Sequence, residues 1–308
     1  MKVVLVGGLG FIGKHIIKKI YDFHDLTVLE TASTASNNAA FVKNHGLSVE
    51  IGDITDGTSA KEIMLRCTPD LVVHLAALTG VRRCNENPSL AFLINVLGTY
   101  SVIKACVVAK SKLIFISSRE VYGESMSDRT GESDPLVPNN VYGVTKLLGE
   151  RLVTWAASRY NLDYAILRLT NVYGPEGDQY GIQIMIKKAL TEGKIQILGG
   201  NQRMNLIYVE DVADAICRCF VDPRSSRQTF NVGSHDDMSI EEIVSKLVSL
   251  LRVPVKIERL PMRNGETINF RPNLEKMEKT LGYRPVTSII EGLQKTVEWY
   301  RKQSQNSA

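Results

Sequence analysis

The chain is poor in several things that would have narrowed its function at once. Among 308 residues there are five cysteines, two tryptophans and almost no surplus of charge. Cys67, Cys84, Cys106, Cys217 and Cys219 are odd in number and scattered, which argues against a disulfide framework and for reduced thiols in a cytoplasmic protein. Cys217 and Cys219 have one residue between them rather than the two usual in zinc and redox motifs, with no second pair nearby, so no metal site is expected. No apolar run approaches the roughly eighteen residues of a membrane helix. The apolar opening of the chain is cut short by Gly7-Gly8, which excludes a signal peptide. With 37 basic and 33 acidic residues the net charge is +4, too weak and too mixed to point to nucleic acid. Neither a membrane nor nucleic acid is therefore expected as a partner.

What remains is an ordinary globular composition, 44% hydrophobic and 23% charged, on a chain long enough for one large unit with an appendage. Short β-branched apolar runs at 3–6, 26–29, 71–75, 113–116 and 164–169 alternate with stretches of helical period at 12–23, 60–67, 90–110 and 144–160. Runs of that kind suit strands buried on both faces, so the fold class is α/β with a doubly wound parallel sheet. After residue 171 the pattern loosens into glycine- and proline-punctuated loops. The expected division is 1–170 as the sheet domain, with 205–234 returning to it, and 171–204 plus 235–308 as a smaller α/β lobe. The Ser/Asn-rich stretch 31–38 and the tail 303–308 look biased or mobile.

Gly7-Gly8-Leu9-Gly10-Phe11-Ile12-Gly13 directly follows the first strand and opens a helix. A tight strand-to-helix turn without side chains lets a pyrophosphate approach backbone N–H groups at the positive end of the helix. Glu30 lies seventeen residues beyond Gly13, at the end of the next strand, where a carboxylate accepts hydrogen bonds from a ribose diol and repels a 2′-phosphate. NAD is thereby favoured over NADP. Asp53, in Gly52-Asp53-Ile54, ends the third strand and either reaches the adenine or simply makes a turn.

Tyr142 and Lys146 stand four apart, on one face of a helix. A neighbouring ammonium and a nicotinamide cation both favour phenolate, which would bring a tyrosine from about 10 towards the range of a general base. Ser118 follows the 113–116 strand and so faces the crevice where open α/β sheets bind ligands; the alternative is a turn or helix cap.

These residues carry a resemblance. The chain resembles an extended short-chain dehydrogenase/reductase of the NAD-dependent epimerase/dehydratase family that acts on nucleotide-diphosphate sugars, such as UDP-glucose 4-epimerase. Ordered motifs cover nearly the whole length: the glycine turn, Gly52-Asp53, His74-Leu75-Ala76-Ala77, Asn95-Val96-Leu97-Gly98-Thr99, the Ser117 to Gly123 stretch, Tyr142 to Lys146, Arg168 to Pro175, Tyr208 to Val212 and Leu281 to Pro285. The resemblance implies a Rossmann-type domain with a substrate lobe, Tyr142 as base, Lys146 as holder of the nicotinamide ribose, and Ser118 as the hydroxyl that bonds the sugar oxygen. It further implies cofactor contacts from Gly7, Gly10, Phe11, Ile12, Gly13, Glu30, Asp53, Ile54, Leu75, Ala76 and Ala77, with Asn95 in support, and a homodimer.

For the nucleotide sugar, Asn171 and Arg263 match diphosphate-contacting positions, with Glu266 close behind in Arg263-Asn264-Gly265-Glu266. The stretch before Tyr208 departs from the family: Met204 stands at the usual arginine and Arg203 lies one position off, so either Arg203 turns in or the diphosphate is held by one cation fewer. The shared reaction implied is removal of a hydroxyl proton by Tyr142 with passage of the C4 hydride to NAD⁺. The later steps separate epimerases from dehydratases, which carry Asp-Glu after the serine or threonine. Here the pair is Arg119-Glu120: Glu120 matches the base, but Arg119, always charged, cannot serve as an acid. The expected reaction is 4-epimerisation, then in order of preference 4,6-dehydration and decarboxylation or C4 oxidation; a non-catalytic dinucleotide binder is disfavoured because Ser118, Tyr142 and Lys146 are all present.

Overall fold

The structure is a computed structural model and describes residues 1–125, 127–177, 181–261 and 270–306. Its centre is a seven-stranded, wholly parallel sheet. Six of its strands are β1 (Lys2–Val6), β2 (Asp25–Glu30), β3 (Ser48–Ile51), β4 (Leu71–His74), β5 (Lys112–Ser118) and β6 (Tyr164–Leu169), and the Gln228–Val232 strand completes it. The order is Gln228–Val232, β6, β5, β4, β1, β2, β3. The chain reverses its direction of winding between β1 and β4, which opens a crevice at the C-terminal ends of those strands.

Alternation within each strand feeds two layers. Val3 and Leu5 of β1 enter one core with Ile16, Ile17, Ile114, Leu167 and Phe230, while Val4 and Val6 enter the other with Ile63, Met64, Ile103, Phe115 and Val153. The Phe11–Ile20 and Val209–Val221 helices cover the first face; Ser59–Cys67, Thr99–Ala109 and Val141–Tyr160 cover the second. A separate core of Ile186, Ile195, Ile197, Ile243, Leu247 and Leu293 holds a smaller lobe. That lobe pairs Lys194–Leu198 with Lys256–Leu260 in parallel under the Gly181–Glu192, Ile240–Leu251 and Ile289–Asn306 helices.

Three segments differ from expectation. The Ser/Asn-rich stretch forms a short helix, Ala32–Asn37, because Thr31 caps it by accepting from the Thr34 N–H, and the tail is helical as far as Asn306. The stretch expected as one helix at 90–110 is α-helical at Pro88–Phe92, passes through a π-helical turn at Leu93–Gly98, and is α-helical again at Thr99–Ala109. Taken together, Pro88–Ala109 is long and apolar enough to cross a membrane by length and composition, contrary to the reading of single apolar runs. An eighteen-residue window of it has a mean hydropathy of 1.8 despite Asn95, Thr99 and Lys104, and its buried side packs on the sheet through Val102, Ile103 and Cys106.

Candidate active site

Gly7 follows β1 directly with φ +79°, and a Cβ there would lie 2.7 Å from the backbone of Ala76. The N–H groups of Leu75 and Ala76 both bond to Val6 O, at 2.8 and 2.9 Å, so the 75–77 segment lies directly against the turn. Gly10 is the N-cap of the Phe11–Ile20 helix, and Gly13 packs so closely that a Cβ would stand 2.2 Å from Gly8 O. The result is a side-chain-free cradle at a helix N-terminus, the shape a dinucleotide pyrophosphate requires. Phe11 sets its ring edge-on to His15, while Ile12 packs on the core.

Glu30 leaves the end of β2 and turns towards the cradle: its carboxylate accepts from Leu9 N at 3.4 Å and Thr31 N at 3.1 Å. Burial pushes this carboxyl up, and the two N–H groups pull it back. Asp53 is exposed and spends one oxygen on the backbone and hydroxyl of Thr55, both at 2.8 Å, the geometry of a turn residue. Its neighbour Ile54 is buried against Gly98. Asn95, inside the π-helical turn, grips Leu78 through both N–H (2.8 Å) and C=O (2.9 Å) and donates to Thr145 Oγ1 at 3.0 Å. It thereby ties the 75–78 segment to the helix that carries Tyr142.

That helix, Val141–Tyr160, is capped by Asn140, whose side-chain oxygen accepts from Gly143 N at 2.9 Å. Tyr142 is half-buried beside Leu78, Cys84 and Ala91. Lys146, one turn on, is buried; its Nζ donates to Ile116 O at 2.9 Å and lies 5.1 Å from the Phe115 ring centre and 6.0 Å from that of Tyr142. Burial lowers its pKa to about 8, against the opposing pull of Cys84, where its thiol is ionised, and of Glu150. His74, at the end of β4, bonds Thr99 Oγ1 at 2.9 Å and is driven down to about 3 by burial and by Lys146, so it is neutral.

Ser118 ends β5 and is 8% exposed. Its oxygen accepts from Glu120 N at 3.2 Å, the cap weighed as its alternative role, yet its O–H proton stays available to a ligand. Each oxygen of Glu120 has a partner: Arg119 Nη2 approaches one at 2.8 Å and Asn140 Nδ2 bonds the other at 2.8 Å. The Arg119 guanidinium in turn lies 5.5 Å above the Phe270 ring. Gly143 allows all this, since a Cβ there would sit 2.3 Å from Glu120 O.

On the lobe side, Asn171 opens a short strand, Asn171–Tyr173, parallel to Leu206–Tyr208, and donates to Asn205 O at 3.4 Å. Met204 packs into the lobe core beside Met238. Arg203 is held by Asp237 at 2.9 Å, a carboxylate it shares with Arg271 at 2.5 Å. Arg263 and Glu266 lie outside the described residues. Sequence reasoning missed Asn140 and Asp237; an asparagine directly before the Tyr142 helix is a cap signal that could have found the first.

Residues 3–233 match the family model of the NAD dependent epimerase/dehydratase family. The chain is 29% identical to the UDP-glucose 4-epimerase of Mycolicibacterium smegmatis, over 99% of its own length and 100% of that protein's. It is 28% identical to the dTDP-D-glucose 4,6-dehydratase of Mus musculus, over 99% and 90%. A crystal structure of UDP-glucuronic acid 4-epimerase from Bacillus cereus, in complex with UDP-glucuronic acid and NAD, superposes with a TM-score of 0.91 at 25% identity, covering 98% of this chain and all of that one. The chain belongs to the NAD-dependent epimerase/dehydratase family, within the extended short-chain dehydrogenases/reductases. It is an enzyme of that family, its fold is of the Rossmann type, and its cofactor is NAD. The glycine cradle and the inward carboxylate of Glu30 fit that dinucleotide.

Proposed function

We propose that the enzyme interconverts the C4 epimers of a nucleotide-diphosphate hexose through a 4-keto intermediate. Bound NAD supplies the acceptor and donor of the C4 hydride. Tyr142 takes the C4 hydroxyl proton and returns it, Ser118 donates to the same sugar oxygen, and Lys146 holds the nicotinamide ribose and keeps positive charge beside the phenol. Asn171 and Arg263 bind the diphosphate. Arg203 is left to Asp237, so the diphosphate is held by one cation fewer than the family pattern provides. The observation that carries epimerisation over dehydration is the engagement of both Glu120 oxygens, one by the Arg119 guanidinium and one by Asn140, because a carboxylate held by a cation and a hydrogen-bond donor is a weaker base for the C5 proton.

The test is to incubate the purified enzyme with UDP-, dTDP-, GDP- and CDP-hexoses and monitor products by chromatography and mass. Epimerisation gives an isomer of unchanged mass with no net gain in NADH absorbance; Tyr142→Phe abolishes it. A product 18 mass units lighter would establish instead the second reading, 4,6-dehydration, which the position of Glu120 two residues after Ser118 supports.

We further propose a cytoplasmic homodimer. Leu90, Phe92, Leu93 and Leu97 on the Pro88–Ala109 stretch, with Leu148 and Trp155 on the Tyr142 helix, are 37–57% exposed on neighbouring elements. A second copy presenting the same surface would cover them.

A further inference from the structure

The face of the Val141–Tyr160 helix that carries Tyr142 and Lys146 continues one turn further to Glu150, at i, i+4 and i+8. Glu150 is 4% exposed and makes three hydrogen bonds: from Ser117 Oγ at 2.6 Å, and from Arg168 Nε and Nη2 at 2.9 and 2.7 Å. Consecutive residues of β5 therefore hold consecutive turns of the helix, Ile116 through Lys146 and Ser117 through Glu150. Arg168, on β6, is anchored on its far side by Tyr122 Oη at 2.8 Å and Glu132 O at 3.1 Å, and Tyr122 Oη donates to Asn231 Oδ1 at 2.7 Å. This pair is far more than the packing of a helix on a sheet demands. An apolar pair would fill the same volume without the desolvation of two charges.

We propose that the buried Glu150–Arg168 pair is a charge regulator for Lys146. Glu150 supplies the negative charge that keeps the Lys146 ammonium protonated at depth, and Arg168 fixes that charge in place and limits its reach. Both act through Lys146 and are positioning residues. Among the described residues the groups that face Lys146 are His74 from β4, which is neutral, the Cys84 thiol from the Val81–Glu86 helix, the Phe115 ring from β5, and Tyr142 and Glu150 from its own helix. Thiol and imidazole carry no charge near neutral pH, so Glu150 is the anion that offsets the burial of Lys146. An unpaired Glu150 would over-stabilise the ammonium; an unpaired Arg168 would expel its proton. The pair holds Lys146 between those limits.

The inference rests on the proposed function only for what Lys146 and Tyr142 do, and its test is independent of turnover. The titration of Lys146 is monitored by carbon-13 NMR of lysine-labelled protein, with Lys146→Arg used to assign the signal. Glu150→Gln should lower the midpoint, on the order of one pH unit for a single charge one helical turn away, and Arg168→Gln, which acts from β6 across the pair, should raise it by less. The neutral double variant Glu150→Gln/Arg168→Gln should titrate between Glu150→Gln and the wild type, because the carboxylate on Lys146's own helix outweighs the guanidinium behind it; a midpoint at the wild-type value would overturn the proposal. Glu150→Asp and Arg168→Lys keep both charges and should leave the midpoint in place, which decides the matter if a neutral variant does not fold. Shifts of the same sign in both single variants, no shift in either, or a full-unit shift in a charge-conserving variant would overturn the proposal. If the enzyme turns over no nucleotide sugar while Lys146 titrates as described, the functional reading fails and the charge regulator stands.

Discussion

Arg119 and Glu120 are adjacent in sequence and paired in space: the guanidinium Nη2 lies 2.8 Å from the carboxylate, and the two side chains are 13% and 9% exposed. Sequence neighbours point their side chains apart in strands and helices. They meet here because the chain makes a single 3₁₀ turn, Arg119–Val121, straight after β5. The pairing stabilises the charged form of the carboxylate beside Ser118 and so weakens it as a base.

Arg119→Ser frees one oxygen of Glu120. Elimination of water from the 4-keto intermediate should then rise on the order of tenfold, the rate equivalent of about 1.4 kcal/mol of lost ion pairing. Mass analysis of the products measures it. An unchanged ratio of dehydrated to epimerised sugar would remove the pairing from any account of reaction choice.

Gly10 and Gly13 should respond differently to alanine. At Gly13 a Cβ meets Gly8 O at 2.2 Å, so the turn must open, and both thermal stability and NAD affinity should fall. At Gly10 the nearest obstacle is Gly7 O at 3.4 Å and φ is −75°. Gly10→Ala should therefore keep its melting temperature while losing NAD affinity, because the methyl stands where the pyrophosphate approaches. Thermal melts and NAD titrations of both variants separate fold from cradle; equal loss of stability in the two would refute the distinction.

Much of this was legible in the residues. The glycine turn, Glu30, Ser118, Tyr142 and Lys146 are local signals: each sits at a strand end or on one helix face, and periodicity places such positions. Asn95 comes from the family resemblance alone, and sequence reasoning missed Asn140, Asp237 and Glu150; beyond the Asn140 cap, their partners lie 17 to 50 residues away, in segments brought together by the sheet order. No spacing rule covers that range. Arg203 and Met204 show the limit most plainly. Adjacent residues on a two-residue strand face opposite sides, and which side met the lobe core depended on the antiparallel pairing with Met238–Ser239.

The His74 imidazole gives the fold an acid-labile point. Its pKa is depressed from 6.5 to about 3, so its contribution to stability is full above pH 6.5 and is lost as pH falls towards 3. At 1.36 kcal/mol per pKa unit the loss across that window is at most about 5 kcal/mol. Urea midpoints measured between pH 7 and 4 should fall less steeply for His74→Gln than for the wild type. Parallel curves would show that His74 is already solvated in the native state.

Leu97 is 57% exposed and Trp155 45%. If a second copy covers them, Leu97→Glu places a charge in the interface, and sedimentation should show a monomer at concentrations where the wild type is dimeric. A wild type that sediments as a monomer would sink the dimer directly.

The π-helical turn at Leu93–Gly98 acts as a phase adjuster. A turn with one residue too many rotates every later residue of the stretch by about 100° relative to an uninterrupted α-helix. Upstream of it the stretch offers Leu90 and Phe92 to solvent; within it Asn95 looks to Leu78; downstream Val102, Ile103 and Cys106 look to the sheet. Deleting one residue there would not merely shorten a helix. It would put the sheet-facing and outward-facing sets out of step, so that the core, the Asn95 contact and the apolar exterior could not all be satisfied at once.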